Sequence, residues 1–238
     1  MAETINERLS GICEKIISDA KARGYDETQF VPEEMIAEWR ERGQIGIHKY
    51  LNLDKRMLRA AKIAYEIGLD RTPGKISLLD LGAGPAYICV VARELGHDAL
   101  ALDIQHPLYE ELCKFFNVPR VEHRITPSSF LPEGLGKFDY VSALAIKFHE
   151  RKRTFWSHDE WDSFLKYMDE NCLTPNGGLY FSFNYRTDHP VDETDEWQVR
   201  RRDMYVALHD WFLSRSFVSP EPGVYLRGSA VEMHRSVS

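Results

Sequence analysis

The 238-residue sequence predicts an α/β fold, a doubly wound and mostly parallel sheet with helices on both faces. Three observations carry that expectation. From residue 76 onward, short apolar runs alternate with amphipathic segments of 10 to 14 residues, the pattern of successive βαβ units. The first run, 76-ISLLDL-81, is apolar without alternation, as a strand buried on both faces of a parallel sheet must be. Residues 1–70 show only helical spacing, so a helical extension precedes a domain spanning 71–238.

Composition narrows the class. With 43% hydrophobic and 12% aromatic residues spread along the chain, a packed core forms and disorder is excluded. Acids outnumber bases 37 to 30, for a net charge of −7, which offers no electrostatic grip on a polyanion. A dedicated nucleic-acid binder is therefore not expected; a small-molecule partner is. The four cysteines lack metal-ligand spacing, and Cys89 and Cys172 sit among apolar neighbours as core residues, so a reducing cytoplasm is the expected compartment. The N-terminus carries charges every few residues and does not read as a signal peptide. No apolar run reaches the roughly 18 residues of a membrane span, so no membrane partner is expected.

The elements follow in order. Ile5, Leu9, Ile12, Cys13, Ile16, Ile17 and Ala20 form one helical stripe that ends at Gly24. Pro32 opens a short helix closed by Gly43, and Asp54 is placed to cap a third with Met57, Leu58, Ala61, Ala64 and Ile67 on one face. After the strand at 76–81 come helix 86–95, strand 98–103, helix 107–116 and strand 120–125. Strand 138–146, helix 158–171 and strand 179–184 follow. Ser157 and Glu160 make a capping box for the helix at 158; Trp156 and Trp161 could suggest a site for a planar ligand, but their positions as its hydrophobic staple explain them without one. A helix at 199–215 and two extended pieces, 216–227 and 230–235, divided by Gly228-Ser229, predict a terminal antiparallel hairpin.

The chemistry gathers in 78-LLDLGAGPAYICVV-91. A buried strand ends in Asp80; Gly82 then permits a tight turn, and Gly84 lets backbone approach a ligand at the start of a helix. The next strand ends in Asp103, nineteen residues after Gly84, where a carboxylate can accept from both hydroxyls of a ribose. A dinucleotide fingerprint would place a third glycine where Tyr87 stands, and a carboxylate at Asp80 would repel a pyrophosphate. An acid before the glycines suits a ligand with a cationic amino group, and S-adenosylmethionine (SAM) meets both conditions.

These segments together resemble the class I SAM-dependent methyltransferases: D-x-G-x-G at 80–84, an acid ending the second strand, Phe138-Asp139 opening the fourth, and 173-LTPNGGLYFSFN-184 like that family's L-x-P-G-G turn and fifth strand, with Asn176 inserted. The resemblance spans about residues 50–236. It implies a seven-stranded sheet of order 3-2-1-4-5-7-6 whose last strand is antiparallel. It further implies that Asp80, Gly82 and Gly84 line the methionine end of SAM, that Asp103 holds the ribose and Ile104 packs on the adenine. Thr126 to Ser129 would lie beside the adenine edge, and Ala143 and Leu144 would face the sulfonium.

The acceptor is less legible. The end of the fourth strand carries neither an N-P-P-Y motif nor an acid among Ser142 to Ile146, so no divalent metal is expected. In 147-KFHERKR-153, His149 is the candidate to face the methyl-transfer point, with Glu150 as its orienting partner, unless the segment is simply a solvated loop. Lys49 or His48 is placed to meet the cofactor carboxylate and Tyr50 to close over it, or else this segment only connects helices. The expected function is methyl transfer to oxygen or nitrogen of a small molecule. A SAM-binding partner without catalysis and a NAD-dependent oxidoreductase are the alternatives.

Overall fold

A computed structural model describes residues 5–31, 51–151, 154–185 and 190–231. The helices are α1 (Ile5–Ala22), α2 (Leu53–Glu66), α3 (Tyr87–Glu94), α4 (Pro107–Phe115), α5 (His158–Tyr167) and α6 (Glu196–Ser214). The strands are β1 (Ser77–Leu81), β2 (Asp98–Asp103), β3 (Arg120–Glu122), β4 (Phe138–Ile146), β5 (Glu150–Arg151), β6 (Thr154–Phe155), β7 (Leu173–Phe183) and β8 (Val224–Gly228).

Six strands form the main sheet in the order β3-β2-β1-β4-β7-β8, parallel except for the β7–β8 edge, and β5–β6 is a separate small hairpin. The chain leaves β1 toward β2 and β3, then returns to β1's other side through β4. This reversal places a crevice beyond the carboxyl ends of β1 and β4.

Alternation along the strands separates two cores. Leu78, Tyr140, Tyr180 and Leu226 face one side, packed under α1 to α4; Leu79, Leu81, Val141, Leu179 and Phe181 face the other, packed under α5 and α6. The first core includes Cys13, Ile16 and Ala20 of α1, so the N-terminal helix packs into the same apolar body as the sheet. It ends as its Gly24 suggests: that residue takes φ +82°, and the N–H of Tyr25 donates back to the Ala20 carbonyl.

Several expectations shift. The sheet holds six strands among the described residues rather than seven, because Ser229 to Val231 are helical where a strand at 230–235 was expected. The packing explains why: Gly228 turns at φ +68° against the Gly177 carbonyl, and a Cβ on Gly178 would stand 2.7 Å from the Ala230 nitrogen, so the chain leaves the sheet there. The antiparallel partner of β8 is β7, with one further bridge from Val218 to Leu226. Asn52, not Asp54, caps α2, its side chain accepting from the Lys55 N–H. Leu58 stands 53% exposed, turned away from the face that buries Met57, Ala61 and Ala64. The capping box at Ser157 and Glu160 and the Trp156–Trp161 contact (5.2 Å between rings) are present, and α5 runs on through a π-helical turn to Cys172. The helix expected at 32–43 lies outside the described residues.

Three strands are tied at their lower ends by one carboxylate. Asp139, second residue of β4, accepts from the Ser77 backbone N–H (2.8 Å), the Ser77 hydroxyl (2.9 Å) and the Thr174 hydroxyl (3.1 Å). It thus joins β1, β4 and β7 at the end opposite the crevice, a structural reason for the acid in Phe138-Asp139. Asp139→Ala is expected to lower unfolding free energy by about 2–3 kcal/mol in denaturant titration, since three half-buried donors lose a charged acceptor.

Candidate functional site

At the carboxyl ends of β1, β2 and β4 lies a cleft of about 1070 Å³. Pockets for a single small ligand run to roughly 300–1,000 Å³, so this cleft is at the top of that range. Asp80, Gly82, Gly84, Asp103, Ile104, Thr126 and Leu144 all line it.

Asp80 owes its position to sheet register. It pairs directly with Ser142 across β1 and β4, and both side chains point to the same face. The Ser142 hydroxyl donates to Asp80 Oδ1 at 2.6 Å, and both residues are buried, Asp80 at 2% exposure. Burial raises the Asp80 carboxyl to about 7; the Ser142 hydrogen bond works against that rise, and the Asp103 charge adds to it. A carboxyl poised this way ionises readily when a cation arrives beside it.

The loop after β1 leaves space next to it. Gly82 and Gly84 take φ +67° and +54°; a Cβ on Gly82 would meet nothing within 4 Å, and one on Gly84 only the edge of Tyr109 at 3.9 Å. Helix α3 follows Ala86, itself at φ +58°, which makes no side-chain cap hydrogen bond, and its first residues Tyr87 and Ile88 line the cleft. Tyr87, where a dinucleotide fingerprint has glycine, is buried against Phe116.

Asp103 spans the two loops. Its Oδ2 accepts from the Gly84 N–H and its Oδ1 from the Ile104 N–H, both at 2.6 Å. A carboxylate has about four acceptor sites, so each oxygen keeps one for a ligand hydroxyl. Ile104 beside it is 37% exposed, an apolar surface open to a flat ring, and Thr126 sits in a tight turn closed by paired backbone bonds with Ser129. At the end of β4 the pairing with β7 is irregular between Ala143 and Ile146, and Ala145 takes φ +55°. A non-glycine residue in that region is strained, and here the strain turns the strand end along the cleft wall.

His149 is placed differently from the expectation. Its ring is wholly buried in the second core, 4.9 to 6.2 Å from the rings of Phe183, Trp161, Tyr205, Phe155 and Phe148, and neither nitrogen has a partner among the described residues. Burial lowers its pKa to about 3, and the Arg201 charge adds to the shift. The reason is alternation: at the start of β5, His149 turns inward and Glu150 turns to the cleft. Lys49, Tyr50 and His48 lie outside the described residues. Residues that the sequence left unmarked also reach the cleft: Arg56 and Arg59 one turn apart on α2, Tyr109 on α4 and Phe155 beyond β4; Glu150, expected only as a partner of His149, and Trp156, expected as part of the staple, line it as well. The Arg56/Arg59 pair could have been read from its i, i+3 spacing beside the small Ala60. Among the described residues no three His, Cys, Asp or Glu gather in a metal-binding arrangement, and no helix is long and apolar enough to cross a membrane.

His149 makes a stability statement. Folded, it stays neutral to about pH 3, whereas the unfolded side chain takes a proton near its ordinary value of 6.5, so stability is lost as pH falls from 6.5 toward 3. His149→Leu is expected to be at least as stable as wild type at pH 7 and to lose about 2 kcal/mol less between pH 6.5 and 5, read from denaturant midpoints.

No family model and no curated relative matches the chain. Solved structures that match include a SAM-dependent methyltransferase from Thiobacillus denitrificans in complex with S-adenosyl-L-homocysteine (14% identity, TM-score 0.37, over 52% of this chain and 46% of that one). Others are a ribosomal protein L11 methylase from Lactobacillus delbrueckii subsp. bulgaricus (16%, 0.41, 73% and 77%) and Streptomyces venezuelae DesVI (18%, 0.45, 71% and 62%). The chain thus spans less than half of the first and under two thirds of the last. The sheet order β3-β2-β1-β4-β7-β8, with β8 antiparallel, follows the class I SAM-dependent methyltransferase order expected from the sequence as far as its six described strands go. What each residue does rests on the cleft itself.

Proposed function

We propose that this protein transfers a methyl group from S-adenosylmethionine to oxygen or nitrogen of a small-molecule acceptor, without a metal. The observation that carries this reading is the buried Asp80 carboxyl, set beside open glycines and across from the doubly anchored Asp103. A cofactor with an ammonium at one end and a ribose farther along matches that pair; a pyrophosphate does not. When bound, the cofactor supplies a methyl carbon made electrophilic by its sulfonium.

The chain's own residues do the rest. Asp80 gives up its proton and faces the ammonium. Asp103 accepts from the ribose hydroxyls through the lone pairs its backbone bonds leave open. Ile104 packs on the adenine and Thr126 borders its edge. Arg56 or Arg59 meets the cofactor carboxylate, the role the sequence suggested for Lys49 or His48, which like Tyr50 lie outside the described residues. Leu144 and the strained turn at Ala145 form the wall beside the methyl, where holding the acceptor in line and free of water accounts for most of the acceleration such a reaction needs. From the N-terminal extension α2 borders the cofactor end through Arg56, Arg59, Ala60 and Ile63, and the volume beyond takes the acceptor. Four buried free thiols and the acidic balance support a cytoplasmic enzyme acting on a small molecule.

Calorimetry with SAM, S-adenosylhomocysteine (SAH) and NAD tests the reading. SAM and SAH are expected to bind and NAD not to, with Asp103→Ala weakening SAH at least about tenfold, the worth of one hydrogen bond to a charged group. NAD binding more tightly than SAH would overturn it.

A further inference from the structure

One end of the cleft is left over once the residues facing SAM are assigned. Past β4 its wall is made by Phe148, Glu150, Phe155 and Trp156. Glu150 and Phe155 are cross-strand partners in the β5–β6 hairpin, so their side chains stand next to each other on one face. Phe155 is backed by Trp197, stacked at 5.6 Å and 22°, and Trp156 by Phe148 and Trp161 at 5.3 and 5.2 Å. The wall is therefore rich in braced aromatic rings, with Lys147, Thr154, Glu160 and Asn184 bordering it.

Glu150 is fixed from behind. Arg201 Nε donates to its Oε2 at 3.2 Å, Arg201 Nη2 lies 3.2 Å from the same oxygen, and the Tyr205 hydroxyl donates to it at 3.3 Å. Arg201 is itself held over the rings of Tyr185 (4.8 Å) and Tyr205 (5.5 Å), which stack on each other at 4.4 Å. All these contacts fall on Oε2, and among the described residues none falls on Oε1. The Arg201 charge balances the carboxylate, so the site does not call for a cation. It calls for a neutral donor that reaches Oε1 from a ring lying on Phe155 and Trp156.

We propose that Glu150 is the catalytic residue on the acceptor side: Oε1 accepts a hydrogen bond from an N–H or O–H of a planar aromatic acceptor and removes that proton during methyl transfer. The inference rests on the SAM reading for its chemistry, but the acceptor subsite stands on the geometry of the wall alone. In the step, the acceptor's nitrogen or oxygen lone pair forms the bond to the methyl carbon. The S–CH₃ bond breaks with its pair going to sulfur, leaving a neutral thioether. The acceptor's proton, made acidic as its atom acquires positive charge, passes to Oε1 and then to solvent. Arg201 and Tyr205 position the carboxylate.

Indole and indene provide the test, because they share a shape and only indole carries an N–H. Their affinities are measured by ligand-observed NMR on wild type and Glu150→Gln, with and without saturating SAH. Wild type is expected to hold indole about tenfold more tightly than indene, the worth of one hydrogen bond to a charged acceptor. Glu150→Gln is expected to lose the preference, since an amide that keeps its oxygen on Arg201 presents its NH₂ to the ring. SAH affinity in that variant should stay within about twofold of wild type, which shows the fold intact. Equal affinities for the two probes in wild type, or a preference that survives in Glu150→Gln, would overturn the proposal. Failure of SAH to bind wild type would instead count against the cofactor reading, while the indole preference is still read in the unloaded protein.

Discussion

The whole cleft is arranged around one carboxyl kept out of water. Asp80 sits at the end of the strand where the sheet reverses its order, paired by register with Ser142 and shielded by the loop that Gly82 and Gly84 allow. Burial alone favours its neutral form, and the single hydroxyl on Oδ1 only partly offsets that, which is why its pKa stands near 7. A fold has little use for such a group unless something cationic completes it. The open space beside the glycines, the uncapped start of α3 and the two anchored oxygens of Asp103 are all disposed around that requirement.

The two faces of the sheet serve the site in different ways. The α1–α4 face supplies the end of the cleft that we assign to the cofactor, through Asp80, Asp103 and the arginines of α2. The α5–α6 face is packed with aromatic rings, among them Trp161, Phe164, Phe181 and Phe212, all essentially without exposure. That packing carries into the cleft through Phe148, Phe155 and Trp156, and His149 belongs to it as a neutral ring among rings. Rigid walls cost little ordering when an acceptor binds, so the aromatic core is also what makes the acceptor end preorganised.

Much of this is legible in the residues. Asp80, Gly82, Gly84 and Asp103 announce themselves because acids ending apolar strands and glycines between strand and helix have few structural explanations. The strands at 98–103 and 138–146 and the capping box at Ser157 are equally clear, being set by local patterns. What is hidden depends on tertiary contacts. Nothing local says whether His149 or Glu150 turns inward, because β5 and β6 are two residues each and show no period to read. That the described residues hold six strands rather than seven is likewise a matter of contact: Gly228 and Gly178 pack so closely that Ala230 leaves the sheet. Arg56 and Arg59 look like solvated helix charges until α2 is laid along the cleft.

The central claim is that a buried, protonated Asp80 ionises to meet a cationic ligand. The direct measurement is the number of protons exchanged when SAH binds at pH 6, obtained from calorimetry in buffers of different ionisation enthalpy. A carboxyl at about 7 is mostly protonated there, so wild type should release about one proton per SAH bound and Asp80→Asn none. Binding without proton release in wild type, or release that persists in Asp80→Asn, would contradict the account.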